Sequence, residues 1–418
     1  MTLQKKIEGH ISNEDDHPLG CISLENESGD FDLPEGVDLN LRKSSGVTCN
    51  SNEGRNSVCF SDCDSVTVKD FKNGILRLEN CDQIEEVSSS EGATITISGA
   101  KIQKLDLKKS VVILIDCELE DCTLDQCELT SLKNKFEKIE ITGCTVQSED
   151  DEFNKEATIS ENSTITCVNP KFKELTGENS RFTLFKGEVE KEAQFTDCHI
   201  MDREGNFQKS VTVDGEKSTA MFLETTIEGS LDLTEVSVNL SQVSCEAKIT
   251  VTGGCFNSKD LEAQGEFEAE NCQLISTGGQ FLEKVTLTSC SSRLVDNEFT
   301  KKITVDKGAL DSEKNTYQKG LEFSQGTIES TRDDFSDDLT FDQLVAKNLI
   351  YEPANLQNVE FTGKDSKSSL EFIGGEGQEF SADGFGNLKV FVTSLEKLSI
   401  SNCKLSNLVE VTTQESTI

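Results

Sequence analysis

The sequence predicts an all-β fold, a single-stranded, right-handed parallel β-helix (β-solenoid) of about 18 residues per coil, and three observations predict it. Aromatic residues recur at a step of 18 in Phe281, Phe299, Tyr317 and Phe335. Apolar pairs recur at the same step over seven rungs: Leu231, Ile249, Phe267, Val285, Ile303, Leu321 and Leu339, with companions Leu233, Val251, Ala269, Leu287, Val305, Phe323 and Phe341. The residue inside each pair (Asp232, Thr250, Glu268, Thr286, Thr304, Glu322, Thr340) is polar every time. Such alternation is the period-two signature of a strand with one face to a core and the other to water. Its repetition at a fixed step marks a stack of like units.

A further side of the coil comes from Val238, Phe256, Leu274, Ser292, Leu310 and Ile328, where Ser292 is the single polar member. A coil of this length has room for three short strands and three corners. About 20 such coils at about 4.8 Å each would make a rod on the order of 100 Å. Handedness follows from what a left-handed hexapeptide coil would need, an apolar residue six positions beyond Phe299 and Val305, where Asp311 stands instead.

The first half repeats at 17: Ile102, Leu105 and Leu107, then Leu119, Cys122 and Leu124, then Phe136, Ile139 and Ile141. Val66 with Val68, Leu76 with Leu78, and Ile95 with Ile97 mark earlier strands. The acidic run Ser148 to Glu152 and Pro170 blur this register. The expected organisation is a cap or attachment region over 1–60, a first solenoid segment over 61–147, an insertion or kink over 148–180, a regular solenoid over 181–345, and final coils with a C-terminal cap over 346–418. Leu398 and Ile400 resume the pattern there. Gly253-Gly254, Gly278-Gly279 and Gly374-Gly375 are expected at corners, where glycine supplies positive φ.

The composition suits a thin core: 34% of residues are hydrophobic, with 23 Phe, 2 Tyr, no Trp and 4 Pro. A formal charge of -37, from 77 acidic against 40 basic residues, repels phosphate backbones and anionic headgroups and argues against nucleic acid as a partner. No apolar run reaches the roughly 20 residues that span a bilayer, and the first ten residues carry no signal-peptide core. Synthesis in the cytoplasm without membrane insertion is expected.

Sixteen cysteines raise the question of disulfides or zinc. Eight of them, Cys81, Cys117, Cys127, Cys144, Cys198, Cys272, Cys290 and Cys403, share the slot apolar-x-apolar-x-x-Cys, a corner just past an inward strand. Free cysteine fills such a place as a small buried hydrophobe, and cytosolic thiols stay reduced. Cys272 is expected to lie under Cys290. The five-residue spacing of Cys117, Cys122 and Cys127, with Leu119, Leu124 and Leu129, resembles a short pentapeptide-repeat stretch. His10, His17 and Cys21, or Cys49, Cys59 and Cys63, have zinc-ligand chemistry, but their spacings match no compact zinc module. His199 beside Cys198 is expected to be a surface neighbour. No metal or cofactor site is expected.

Polysaccharide-cleaving enzymes on β-helices need paired carboxylates or calcium ligands, with aromatic platforms for sugars. The best candidates are Asp333, Asp334, Asp337 and Asp338 around Phe335, beside Arg332, with cation binding as the alternative to a solvated corner, and the column of Glu268 and Glu322. With Trp absent, no catalytic residue is expected. Phosphate loops, dinucleotide fingerprints and nucleophile elbows are missing, and the acidic entries break the pure outward threonine column of an ice-binding face.

The 18-residue coil with its two-residue-spaced inward pairs, over about 300 residues, resembles the β-helical parts of bacteriophage tail spikes, fibres and baseplate proteins. It resembles more distantly the bactofilins, which are usually shorter. The His-x-His iron motif of phage spike tips is absent. The resemblance implies a non-enzymatic structural protein of a tailed-phage virion, a stiff acidic element in contact with other protein subunits and with a surface receptor or glycan, oligomeric if its assembly requires it. The alternatives are a bactofilin-like cytoplasmic scaffold and a polysaccharide-degrading enzyme.

Overall fold

A computed structural model describes residues 2–11, 21–52, 54–331, 333–335, 339–344, 348–350, 356–363, 369–383, 387–401, 403, 405–409 and 412–417. The chain divides into two compact units, Met1–Gln208 and Lys209–Ile418. Both are parallel β-solenoids, in which each strand pairs with the strand one coil earlier and the strand one coil later.

In the second unit every rung of the predicted columns is in register. Leu231, Ile249, Phe267, Val285, Ile303, Leu321 and Leu339 are successive partners, as are their companions. Val238, Phe256, Leu274, Ser292, Leu310 and Ile328 form another column. Phe281, Phe299 and Tyr317 stack with ring centroids 4.9 and 5.1 Å apart, and Phe335 is the backbone partner of Tyr317. From Val211 to Phe335 each coil holds a five-residue, a two-residue and a four-residue strand, for example Ser237–Ser241, Ser244–Cys245 and Ile249–Thr252. The bend between the last two takes three residues, Glu246, Ala247 and Lys248. Coils approach closely there: a Cβ on Gly229 or Gly265 would lie 2.3 Å from the backbone carbon of Lys209 or Ala247, one coil below.

In the first unit, as far as Phe185, the coil has two strands, for example Val111–Ile115 and the longer Glu118–Asp125. The latter pairs with Lys135–Thr142 at a step of 17, as predicted. Buried residues along it follow as Leu119, Cys122 and Leu124, so only Glu120 and Asp121 separate the first two.

Two boundaries are corrected. Residues 1–60 are not a separate region: Cys21–Glu25, Asp38–Arg42, Ser57–Ser61 and Ile75–Glu79 are successive parallel partners, so the solenoid is already running at Cys21. Polar turns and irregular 17- to 19-residue steps had hidden it. Only the helix Leu3–Ile11 behaves as a cap, burying Leu3 and Ile7 and anchoring to the first coil through Lys6–Glu27 (2.6 Å) and Asp32 N to Gln4 Oε1 (2.9 Å). Nor is 148–180 an insertion. Its strands stay in the stack, and Phe136, Phe153 and Phe172 pile up at 5.1 and 4.4 Å. Extra residues there are absorbed by bulges between Phe153 and Ala157 and by consecutive left-handed residues Glu161 and Asn162.

Gly253, Gly254 and Gly278 have φ of 70, 66 and 68° at corners, as expected. Gly374 and Gly375 instead lie inside the strand Ser369–Asp383.

Candidate functional site

Two corners of each coil turn on a residue in the left-handed region. In the first unit these include Lys109, Asp116, Gln126, Lys133, Gly143 and Asp150, with φ of 48 to 61°. The next residue points inward and is buried: Ser110, Cys117, Cys127, Asn134, Cys144 and Asp151. The serine and cysteine side chains among them return to the carbonyl two residues back, as in Ser110 Oγ to Lys108 O (2.8 Å), Cys117 Sγ to Ile115 O (3.3 Å) and Cys144 Sγ to Thr142 O (3.2 Å). The buried side chain also accepts from the same corner of the previous coil, as in Cys117 N to Asn134 Oδ1 (2.8 Å), Cys127 N to Cys144 Sγ (3.1 Å) and Cys144 N to Ser163 Oγ (3.1 Å).

The slot thus selects small side chains that both donate and accept, because the turn takes these backbone groups out of the sheet ladder. Cysteine there is a hydrogen-bonding residue as well as a filler. Cys63 belongs to the set too, donating to Ser61 O at 3.3 Å. Reading the residue after each turn at a 17- to 19-residue step would have found it. Burial pushes the Cys117, Cys122 and Cys198 thiols up, Cys167 to about 12 and Cys245 to about 11.

The same slot disposes of the leading acidic candidate. Asp333 is not solvated but 1% exposed. It ends a ladder in which Asn297 N and Nδ2 donate to Asn315 Oδ1 (2.8 and 2.9 Å), Asn315 N donates to Asp333 Oδ1 (2.7 Å), and Ser330 Oγ donates to Asp333 Oδ2 (2.5 Å). The first unit repeats the device: Asn134 N donates to Asp151 Oδ1 (2.6 Å) and Ser148 Oγ to Asp151 Oδ2 (2.6 Å). Burial holds both carboxyls above their ordinary value against these hydrogen bonds. Asp334 lies in the two-residue strand Asp334–Phe335, while Arg332, Asp337 and Asp338 lie outside the described residues. Glu268 and Glu322 share a column but sit three rungs apart, about 14 Å at 4.8 Å per rung. That is too far for a glycosidase pair, and each carboxylate is held by a lysine 2.6 Å away, Lys248 and Lys302.

Among the described residues no group of three or more His, Cys, Asp and Glu is arranged for a metal ion. Of the proposed ligands, Cys49 and Cys63 are buried, Cys21 is exposed, His10 lies in the N-terminal helix, and His17 is outside the described residues. Cys198 is buried and His199 exposed, so they face opposite sides.

What remains is a surface. In the first unit, the five-residue strands from Ile75–Glu79 to His199–Arg203 present alternate residues outward in one parallel sheet. Its most apolar part is Thr94, Thr96, Val111, Ile113 and Ile115, with Glu128 the register partner of Val111, and it continues through Thr164, Thr166 and Val168 to Met201. Ile75, Val111, Ile115, Val168 and Met201 are 36 to 45% exposed. The charges on this face are Arg77, Arg181 and Arg203 against Glu79, Glu128 and Glu149, which cancel. The long strands of the same coils present ion-paired charges instead, with Lys101–Glu118 (3.3 Å), Lys104–Glu86 (3.1 Å) and Lys155–Glu137 (3.1 Å). This contrast is carried by the outward columns of the sequence and leaves no trace in the inward columns that define the coil.

Among the described residues no helix is long and apolar enough to cross a membrane. No family model, curated protein or solved structure matches the chain.

Proposed function

We propose that the protein is a non-enzymatic structural β-solenoid that docks other protein subunits of an assembly through the neutral sheet face of its first unit. The observation that carries this is the charge contrast within the same coils. In a chain of net charge -37, one face has lost its acidic excess and exposes threonine, valine and isoleucine. A nucleic acid or anionic lipid would need a basic surface. A protein partner is served by a surface of apolar and neutral side chains whose few charges balance. The finer proposal is a tail, baseplate, spike or fibre component of a tailed-phage virion, supported by the likeness of the coil to such β-helices.

Two measurements test it. Mass spectrometry of purified virions should detect the chain, and finding it only in soluble host lysate would remove the virion assignment. The triple substitution Val111→Lys, Ile113→Glu, Ile115→Lys should abolish incorporation while leaving the circular dichroism melt unchanged. Incorporation at the unsubstituted level would refute the docking face. Filaments growing with concentration in electron micrographs would favour the cytoskeletal scaffold instead.

A further inference from the structure

The corner slot brings cysteines of neighbouring coils into contact. Cys272 and Cys290 occupy it one coil apart, linked through the backbone by Ser291 N to Cys272 O at 3.0 Å, and their sulfurs lie 3.4 Å from each other. Adjacent parallel coils hold such residues about 4.8 Å apart, inside the Cα range of disulfides, and closing the sulfurs to about 2.05 Å asks only for small side-chain rotations. We infer that Cys272 and Cys290 are a peroxide-responsive thiol pair that closes into a disulfide stapling two successive coils.

The chemistry balances with hydrogen peroxide as oxidant. The Cys290 thiolate attacks the terminal peroxide oxygen, the O–O bond breaks, and the sulfur becomes a sulfenic acid while the leaving oxygen takes a proton to become water. Cys272 sulfur then attacks the Cys290 sulfur, the S–O bond breaks, and hydroxide leaves as water with the Cys272 proton. Two thiols lose two electrons and two protons, and peroxide becomes two waters. The order of events follows from the environment: the hydrogen bond from Cys272 brings the Cys290 thiol down to about 7, while the same contact and burial push Cys272 up. Cys290 is therefore the nucleophile near neutral pH. Both residues are buried, at 5 and 2% exposure, which favours a small oxidant over bulky disulfides. Cys63 and Cys81 repeat the arrangement, with Cys63 lowered to about 7 by its partner thiol. Cys122 and Cys245 point inward from strands outside this slot and serve as internal controls.

The full-length chain is treated with hydrogen peroxide, quenched, and mapped by mass spectrometry without reduction. The expected result is a Cys272–Cys290 cross-link, removed by dithiothreitol, with Cys122 and Cys245 still thiols. Stapling should also raise the urea midpoint of the oxidised protein, and reductant should restore it. The variant Cys272→Ser keeps a hydrogen-bonding side chain in the slot. It should convert the Cys290 product from a disulfide to a sulfenic acid, trapped by dimedone added together with urea so that the buried site is opened to the reagent. No cross-link, a cross-link to any other cysteine, or unreacted Cys290 in the Cys272→Ser variant would overturn the inference.

Discussion

Two stretches of the molecule solve one packing problem with coils of different size. Between Lys101 and Glu149 each described coil takes 17 residues, and between Leu231 and Thr331 each takes 18. The strands and the two left-handed corners are shared, so the difference lies at one bend. Leu119 and Cys122 are separated by two residues, Phe281 and Val285 by three. With two residues the strand Glu118–Asp125 runs through the bend unbroken; with three the second unit splits it into Gln280–Phe281 and Val285–Thr288, whereas Glu152–Ser160 in the first unit takes the three residues as a bulge. The first unit adopts the wider bend once at Phe153 and Ala157 and again at Val189 and Ala193. The bend is therefore the adjustable element, and the corners are the fixed ones.

The largest expected effect breaks that distinction if it is mistaken. Deleting Glu283 turns a three-residue bend into a two-residue one and leaves every inward side chain on its face. Deleting Thr286 puts Val285 and Leu287 next to each other and sends one of two buried residues to solvent. The second deletion should cost more than about 4 kcal/mol, as loss of a large buried side chain does, and abolish cooperative urea unfolding of the coils around it. The first should retain it. Equal damage from both would show that the wide bend is obligatory.

This division also marks how much was legible in the sequence. The seven rungs from Leu231 to Leu339 were readable because a constant step superimposes period-two pairs. Cys21 to Ser61 was hidden because steps of 17 and 19 cancel any single period, although the local alternation of Leu39 with Leu41 and Val58 with Phe60 is the same. Asp333 was misplaced for a different reason. Beside Asp334, Asp337 and Asp338 it looks like part of a hydrophilic corner, and only its position three residues after Ser330, one coil beyond Ser312 and Asn315, identifies it as a ladder terminus. The neutral face was invisible to any search for inward columns, because its signal is the missing charge on residues that face water.

Ladders in both units sharpen the claim that corners are fixed. Asn315→Leu strands the Asn297 N–H and removes the Nδ2 donor to Asp333 Oδ1 (3.2 Å), leaving Asp333 the backbone N–H of residue 315 (2.7 Å), and should cost about 3 kcal/mol, the scale of leaving buried groups unpaired. Asp333→Asn should act in the opposite direction. An amide reproduces the pattern of Asn315, whose Nδ2 donates to Ser312 Oγ at 2.9 Å, while removing a buried charge. Burial raises the folded carboxyl above its ordinary 3.8. The folded state then binds the proton more tightly, so stability is greatest below the unfolded value, falls as pH rises through the interval up to the folded value, and stays low above it. Asp333→Asn should be stabilising at neutral pH by on the order of 1 kcal/mol, with the gain shrinking on acidification below the folded value. Asp151→Asn in the first unit should behave alike, since burial raises that carboxyl too. Urea unfolding of both variants at several pH values measures it, and a pH-independent loss in either would refute the ladder account.

Ser292 tests the interior between corners. It stands between Leu274 and Leu310, 4% exposed, and its hydroxyl has no hydrogen-bond partner. Ser292→Ala should stabilise by about 1 kcal/mol, since a buried hydroxyl left unpaired costs that much or more. A loss of stability on a thermal melt would mean that the hydroxyl is satisfied by water.

The smallest expected effect concerns the outward ladder. Lys302 and Glu322 lie 2.6 Å apart, but their side chains are 52 and 47% exposed. Solvent screening and the entropy of holding two long side chains offset most of the attraction, so Glu322→Gln should change stability by about 0.5 kcal/mol or less. Any small loss should vanish in 1 M salt, where the screening length is about 3 Å. A loss comparable to that of Asn315→Leu would place stabilisation on the exposed side of the coil. The difference between bend and corner would then no longer account for what holds successive coils in register.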